Sequence, residues 1–548
     1  MDYKDLAELI FPDAKDASFY EEKYPRRNLK EGAVVTRYAP SPTGFVHIGG
    51  IFQCIIAKLV SKKTDGLFFL RIEDTDQKRE IENGVTDIVS SLKSFGIDID
   101  EGMISQSDEI GNYGPYKQSL RKDIYQSYAK KLIAEGKAYP SFETQEQLEE
   151  LRKRQEDAKV RTGYYGVWAT GRNITVEEAI EKIKNGEDYI IRLKSPGNEE
   201  KRIKHHDVIK GNIDFPENDQ DIIIIKSDGL PTYHFAHAVD DHLMGTTMVI
   251  RGEEWLSSVP LHLQLFYMLG FKAPKYAHIP TIMKMDGTSK RKLSKRKDPE
   301  AAVGYYKKQG IPKEAVIEYL VNIANSNFEI WRKQNPDKPI DEFDFKINKM
   351  GVSGALFDMV KMLDVSKNVI SRYSAPKLYD NVFAWAKEYD DELAKMMEDK
   401  EYTLAVLGIE RGNVKPRKDI SKWADVKDSI IYMYEDKFYN EEEYNFGKVL
   451  DKGEISKILK LYIEKYYNES DDKQTWFDKM KDLAEEVGYA REVKEYKKEP
   501  EKWPGHVGDI STVLRVALTK RQNTPDLYEI MQVLGKDIVV KRLNKFIV

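Results

Sequence analysis

A strand, a broken loop, a helix and a second strand, packed into about forty residues near the start, restrict this chain more than any other feature. Val34-Val35-Thr36-Arg37-Tyr38 is a β-branched run, and Ala39-Pro40-Ser41-Pro42-Thr43-Gly44 breaks it. Ile51 to Lys62 then places apolar residues at helical spacing, and Gly66-Leu67-Phe68-Phe69-Leu70-Arg71-Ile72 is another apolar strand. That order predicts βαβ units and a parallel, doubly wound sheet.

A chain of 548 residues has room for three or four domains at roughly 150 residues each, too many for a simple binding module. Residues 1 to about 33 form a short extension to which no chemistry is assigned. From about 138 to 220 the rhythm is broken by a charged helical stretch and short strands, which predicts an inserted subdomain. Asp221-Ile222-Ile223-Ile224-Ile225-Lys226 and Thr247-Met248-Val249-Ile250-Arg251 are compact apolar runs, expected as strands buried on both faces of the parallel sheet. Beyond about residue 300 long Lys/Glu-rich stretches predict a mainly helical half with no repeat.

Composition narrows the class further. The 87 Lys and Arg against 92 Asp and Glu leave a net charge of −5, and 33% charged with 41% hydrophobic residues is an ordinary soluble composition that disfavours the disordered and membrane classes. The most apolar stretch, Phe45 to Val60, is interrupted by His47, Gln53 and Lys58, and no secretory signal is read at the start. Cys54 is the single cysteine, which excludes an intrachain disulfide framework and fits a reducing cytoplasm.

Two loops carry chemistry. Ala39 to Gly50 lies between an expected strand and an expected helix, where backbone amides attract phosphate, glycines admit a close approach and His47 adds a donor. The same residues also fit a tight turn with a structural histidine. Gly287 to Lys297 crowds Lys290, Arg291, Lys292, Lys295, Arg296 and Lys297 into one run. It reads either as a solvated basic loop or as a mobile loop that neutralises a triphosphate as pyrophosphate leaves.

Together the loops resemble the paired signatures of class I aminoacyl-tRNA synthetases, here His47-Ile48-Gly49-Gly50 and Lys292-Leu293-Ser294-Lys295-Arg296, more than 200 residues apart. Arg37-Tyr38-Ala39-Pro40-Ser41-Pro42-Thr43-Gly44, Arg71-Ile72-Glu73-Asp74-Thr75-Asp76, Asp228-Gly229-Leu230-Pro231-Thr232-Tyr233-His234, Asp240-Asp241-His242-Leu243-Met244-Gly245 and Ile250-Arg251-Gly252-Glu253-Glu254-Trp255 resemble, more narrowly, bacterial glutamyl-tRNA synthetases. The likeness runs from about residue 34 to 548 and is sharp to about 300.

The resemblance implies an α/β Rossmann-type parallel-sheet catalytic domain with an inserted α+β subdomain, followed by mainly α-helical C-terminal domains. Its expected halves are 34–137 and 221–299, with 1–33 as an extension and 138–220 as the acceptor-stem-binding insertion. A helical stem-contact domain is expected at 300–375 and helical anticodon-binding domains at 376–548. The implied reaction is ATP-dependent ligation of L-glutamate to tRNA(Glu) through a glutamyl-adenylate, releasing AMP and diphosphate, in a cytoplasmic monomer with no membrane partner. His47, Lys292 and Lys295 are the expected catalytic residues, and Gly44, Gly49, Gly50 and Ser294 join them in the expected ATP site. Mg²⁺ is expected to ride mainly on the ATP phosphates.

Glutamate carries two carboxylates and one ammonium, so a selective pocket wants about two guanidinium groups, an acid and a hydroxyl donor. Arg37, Arg251, Glu73 and Tyr233 answer that need. By resemblance Glu73 holds the ammonium, Tyr233 and Arg37 contact the side-chain carboxylate, and Arg251 contacts a substrate carboxylate. Ala39, Ser41 and His237 are the further glutamate-binding candidates; His237, four residues after Tyr233 on a helix face, either touches the substrate or packs behind it. No protein nucleophile is needed, because the substrate's own α-carboxylate attacks the α-phosphate.

Three departures and one further ligand shape the expectation. Gly50 stands where the signature has histidine, which removes a donor. Some relatives bind zinc through cysteines where this chain has Ala138-Tyr139-Pro140-Ser141-Phe142-Glu143-Thr144, so no zinc is expected. His205 and His206 are adjacent on a strand, point to opposite faces and are expected to be a surface pair rather than a metal site. Because the chain is net acidic, tRNA must meet local basic patches: Lys290 to Lys297, Arg152-Lys153-Arg154, and Val414-Lys415-Pro416-Arg417-Lys418, where Arg417 resembles the position that reads the third anticodon base.

Overall fold

A computed structural model describes every residue except Met1, Lys295, Val414, Lys415 and 440–443, and all side chains of the rest but that of Gln77. The chain divides into two units, Met1–Tyr305 with Ile317–Asp358, and Tyr306–Val316 with Met359–Val548.

In the first unit, α1 (Tyr3–Ile10) and α2 (Ala17–Lys23) precede β1 (Val35–Tyr38), α3 (Ile48–Lys63) and β2 (Leu67–Leu70). The expected βαβ unit is present, with β1 and β2 parallel in register from Val35↔Leu67 to Tyr38↔Leu70. All of β1 is buried, and α3 buries Ile51, Phe52, Ile55 and Ile56 on it. Gly66 is required where the chain enters β2, since a Cβ there would stand 2.0 Å from the Val34 oxygen. After α4 (Gly84–Ser94), β3 (Glu101–Met103) adds parallel to β2, and β4 (Glu109–Ile110) pairs antiparallel with β3. The N-terminal extension is tied into this unit. Lys130, on α5 (Lys122–Ala134), donates to Glu8 at 2.8 Å, and Arg27 forms a two-pronged pair with Glu101 while lying 3.8 Å from the Tyr113 ring centroid.

Next come β5 (Ala138–Ser141), α6 (Gln145–Asp157), α7 (Val176–Lys184), β6 (Ile190–Leu193), the hairpin β7 (Arg202–Asp207) with β8 (Gly211–Pro216), and β9 (Ile223–Ile225). Here one sequence expectation is corrected. The apolar run 221–226 does not join the parallel sheet; it forms β9, antiparallel to β6, which is antiparallel to β5. Apolar runs of this length are buried in either kind of sheet, so hydrophobicity alone does not choose the partner.

The other run behaves as expected. After α8 (Tyr233–Leu243) comes β10 (Met248–Gly252), which runs beside β1 through a 3.0 Å bond from the Thr247 N–H to the Val35 oxygen. Past α9 (Val259–Leu269), β11 (Lys275–Ile279) pairs parallel with β10, and β12 (Met283–Asp286) and β13 (Ser289–Lys292) form a hairpin. The second unit has helices and no strand among the described residues, in line with the expected helical half. Among the described residues no helix is long and apolar enough to cross a membrane.

Candidate active site

A cavity of about 450 Å³ opens where β1, β10 and β11 end, the carboxyl edge at which parallel sheets take their ligands. Gly44, His47, Gly49 and Gly50 line it from the first loop, Lys292 and Leu293 from the second, with Ala39 and Ser41 beside them. The two signature loops therefore face one space. Ser294 is not part of that lining; its N–H donates to Asp298 at 2.9 Å. Lys295 lies outside the described residues.

His47 is the N-cap of α3, and its Nδ1 accepts the Gly49 N–H at 2.9 Å. The imidazole is therefore neutral with its hydrogen on Nε2. Gly50 N–H donates to the His47 oxygen at 2.8 Å, so the Gly49 and Gly50 amides are used within this turn and the helix end favours an anion through its dipole. Gly50 has a local cause that sequence reasoning missed. A Cβ there would stand 2.5 Å from the Tyr38 hydroxyl, which has no hydrogen-bond partner among the described residues and lies on the cavity wall. Burial raises the Tyr38 phenol far above its ordinary value, so it stays a donor.

The basic run is less self-repelling than its composition implies. Arg291 is clamped by Asp286 at 2.8 Å and by both oxygens of Asp298 at 2.6 and 2.8 Å, leaving exposed Lys292 toward the cavity. Gln53, another wall residue without a sequence signal, is fixed by a 2.9 Å bond to the Ile250 oxygen.

Behind the cavity lies a buried charged network. Tyr233, His237 and Asp241 recur every four residues on α8 and so share a face. Asp241 accepts from Arg37 Nε at 3.2 Å and Arg71 Nη1 at 2.7 Å, and His237 Nδ1 lies 2.9 Å away. Burial opposes its ionisation, but Arg37 and Arg71 hold it well below the usual carboxylate range. Asp240 in turn receives Arg121, Gln118 and Tyr125. Glu73 accepts from Arg71 Nη2 at 3.0 Å; burial raises its pKa against the pull of Arg71 and Arg37. His237 is fully buried with Nε2 3.0 Å from the Tyr276 hydroxyl, which places it in the wall behind Tyr233.

Arg251 differs from Arg37, Arg71 and Arg121, the buried arginines that hold Asp240 and Asp241. It is 3% exposed, yet no carboxylate pairs with it among the described residues. Its Nε donates to His278 Nε2 at 3.0 Å, Nη1 to His262 Nδ1 at 3.1 Å, and Nη2 to the Trp255 oxygen at 3.2 Å, all uncharged partners. The Tyr233 hydroxyl is 3.5 Å from Nη1. Burial, then Glu73, raises the Tyr233 phenol, and Arg251 and Arg37 oppose that shift, so Glu73, Arg251 and Arg37 all lie within electrostatic reach of Tyr233. Gly252 and Glu254, beside Arg251, line the cavity.

The remaining candidates lie elsewhere. His205 is half-buried and His206 exposed, on opposite faces of β7 as expected. At Ser141 the residues do not fit a zinc ion. Both Glu143 oxygens are occupied by the hydroxyls of Ser141, Tyr164 and Thr170, and the Arg192 guanidinium donates to Ser141 at 2.9 Å, placing a positive charge there. In the second unit Arg417 pairs with Asp419 at 2.6 Å. Arg411, half-buried there, is pushed down to about 10 by burial and by Arg417 nearby. Val414 and Lys415, the other half of that basic patch, lie outside the described residues.

Comparison with known proteins identifies the family. Residues 33–363 match the catalytic domain of class I tRNA synthetases (E and Q), and residues 377–547 match an anticodon binding domain. A glutamate–tRNA ligase of Clostridium perfringens (strain SM101 / Type A) is 53% identical over 551 residues, covering 100% of both chains. One from Acetivibrio thermocellus is 47% identical over 550 residues, again covering 100% of both. The crystal structure of glutamate-tRNA synthetase from Elizabethkingia anophelis matches with a TM-score of 0.73 at 27% identity, covering 94% of this chain and 99% of that one. The chain belongs to the glutamate and glutamine family of class I tRNA synthetases.

Proposed function

We propose that this protein ligates L-glutamate to tRNA(Glu) with ATP, through a glutamyl-adenylate, releasing AMP and diphosphate. Arg251 carries the reading. A buried guanidinium held by neutral partners, next to a tyrosine that the Glu73 carboxylate also reaches, and beside a cavity shared by both signature loops, suits a ligand with a carboxylate and an ammonium.

In this reading Glu73 takes the ammonium, whose charge favours the ionised carboxylate that burial disfavours. Arg251 takes a substrate carboxylate; Arg37 and Tyr233 complete the pocket, with Ala39 and Ser41 on the wall toward ATP. The α-carboxylate attacks the α-phosphorus as the bond to the leaving diphosphate breaks. His47 Nε2–H and Lys292 meet the negative charge that builds on the phosphate oxygens, and Lys295 joins them by resemblance. The terminal ribose hydroxyl of tRNA then attacks the mixed anhydride and AMP leaves. Among the described residues Glu254 is the sole carboxylate on the cavity wall, so Mg²⁺ would be held chiefly by ATP phosphates and water. Arg417, with Arg411 beside it, is assigned to the anticodon arm.

The deciding test is acylation of separate glutamate and glutamine tRNA transcripts with labelled glutamate and, in parallel, labelled glutamine. Glutamate transferred to tRNA(Glu) is the expected result. Binding of tRNA with no acylation by either amino acid overturns the reading in favour of a non-catalytic tRNA-binding protein.

A further inference from the structure

Arg251 keeps one orientation with no acid beside it, and the reason lies in the inserted hairpin. Because Arg251 Nε donates to His278 Nε2, that nitrogen carries no hydrogen. The imidazole hydrogen is then on Nδ1, 2.6 Å from Asp207 Oδ2. Asp207 is fully buried at the end of β7, and its own direction is set by several backbone donors. Oδ1 accepts the N–H groups of Ile209 at 3.0 Å and Lys210 at 2.8 Å, and the His278 N–H lies 3.2 Å from Oδ2. Next to it, the Val208 N–H bonds the Tyr276 oxygen at 2.9 Å and docks the hairpin on β11.

The far side of Arg251 is directed in the same way. His262 Nδ1 accepts from Arg251, so its hydrogen is on Nε2 and points at His234 Nδ1, 2.9 Å away. A proton added to His262 or His278 would set N–H against N–H. Burial keeps both imidazoles neutral, with the Arg251 charge acting in the same sense.

We propose that Asp207 and His278 are positioning residues for the substrate carboxylate: Asp207, supplied by the inserted hairpin, locks the His278 tautomer that aims Arg251. The proposal rests on Arg251 being the carboxylate-binding residue. An acid placed directly on Arg251 would orient it equally well but would also neutralise it. Setting the acid one imidazole away keeps the orientation and leaves the guanidinium charge for the ligand.

Asp207→Asn tests this without changing shape. Its oxygen keeps the Ile209 and Lys210 N–H groups, so its amide N–H faces His278 Nδ1 and moves the imidazole hydrogen to Nε2, against Arg251. In aminoacylation assays the KM for glutamate should rise roughly ten- to hundredfold, the scale of a disrupted hydrogen bond to a charged group, while the KM for ATP stays unchanged. In ¹⁵N-histidine spectra of the native protein, with His278→Ala used for assignment, His278 should be the neutral Nδ1–H form, and Asp207→Asn should remove that signature. An unchanged glutamate KM in Asp207→Asn, or a native His278 protonated on Nε2, overturns the proposal. Arg251→Ala run in parallel separates the two levels of the argument. If it loses glutamate use while Asp207→Asn does not, the positioning role alone fails; if it behaves like the native protein, the assignment of Arg251 fails as well.

Discussion

Replacing Arg251 with alanine should separate activity from stability. A guanidinium has five N–H groups, and at Arg251 the second Nη2 hydrogen has no acceptor among the described residues. A second hydrogen, on Nη1, is engaged only by Tyr233 at 3.5 Å and is free to turn to a ligand. Two charge-assisted hydrogen bonds to a carboxylate contribute about 3–6 kcal/mol together, at about 1.5–3 kcal/mol each. At 1.4 kcal/mol per factor of ten, kcat/KM for glutamate should fall about 10²–10⁴-fold, with ATP use far less affected. Stability should respond differently, because the groups left behind, His262, His278 and the Trp255 oxygen, are neutral. Arg71→Ala makes the contrast. It strips a guanidinium from Asp241 and Glu73, and an unpaired buried carboxylate costs about 3–5 kcal/mol. Steady-state aminoacylation with each substrate varied, alongside urea unfolding of both variants, measures the two effects. The reasoning is refuted if Arg251→Ala keeps native glutamate kcat/KM, or destabilises the protein as much as Arg71→Ala does.

Four further outcomes are expected. Lys292→Ala should slow aminoacylation by about 100-fold or more with little change in tRNA affinity, on the scale of a lost transition-state charge contact, and near-native rates would remove Lys292 from the mechanism. Tyr38→Phe should raise the KM for ATP by several-fold, roughly one neutral hydrogen bond, without affecting the KM for glutamate; an unchanged ATP KM would show that its hydroxyl meets no ligand. His237 is held neutral by burial at about 4, below its ordinary 6.5, so the unfolded chain takes up that proton first as pH falls. Its contribution, about 3 kcal/mol, is complete above pH 6.5 and is lost as pH falls toward 4, and His237→Gln should flatten urea-midpoint curves across that window. Finally, elemental analysis of the purified protein should find no stoichiometric zinc, and one equivalent would overturn the reading of Ser141 and Glu143.

What could be read from the sequence followed the range of the interactions. The phosphate-facing loops are local devices: His47 caps the helix it precedes, and Lys292 closes the hairpin it belongs to. Their residue types and spacing therefore announce them. The face of α8 was also within reach, since Tyr233 and His237 are one helical turn apart. The partners of the arginines were not. Arg37 meets Asp241 across 204 residues and His278 meets Asp207 across 71, and no local pattern encodes such pairings. β9 was misplaced for the same reason, because its sheet is decided by β6 and not by its own side chains. In sequence Arg37 and Arg251 look equivalent, each near the end of an apolar strand, and charge counting matches two guanidiniums to two substrate carboxylates. The fold makes them unequal. Helix α8 brings an acid to Arg37, whereas α9 and β11 bring histidines to Arg251, so one arginine already holds its counter-charge and the other keeps its charge for a ligand.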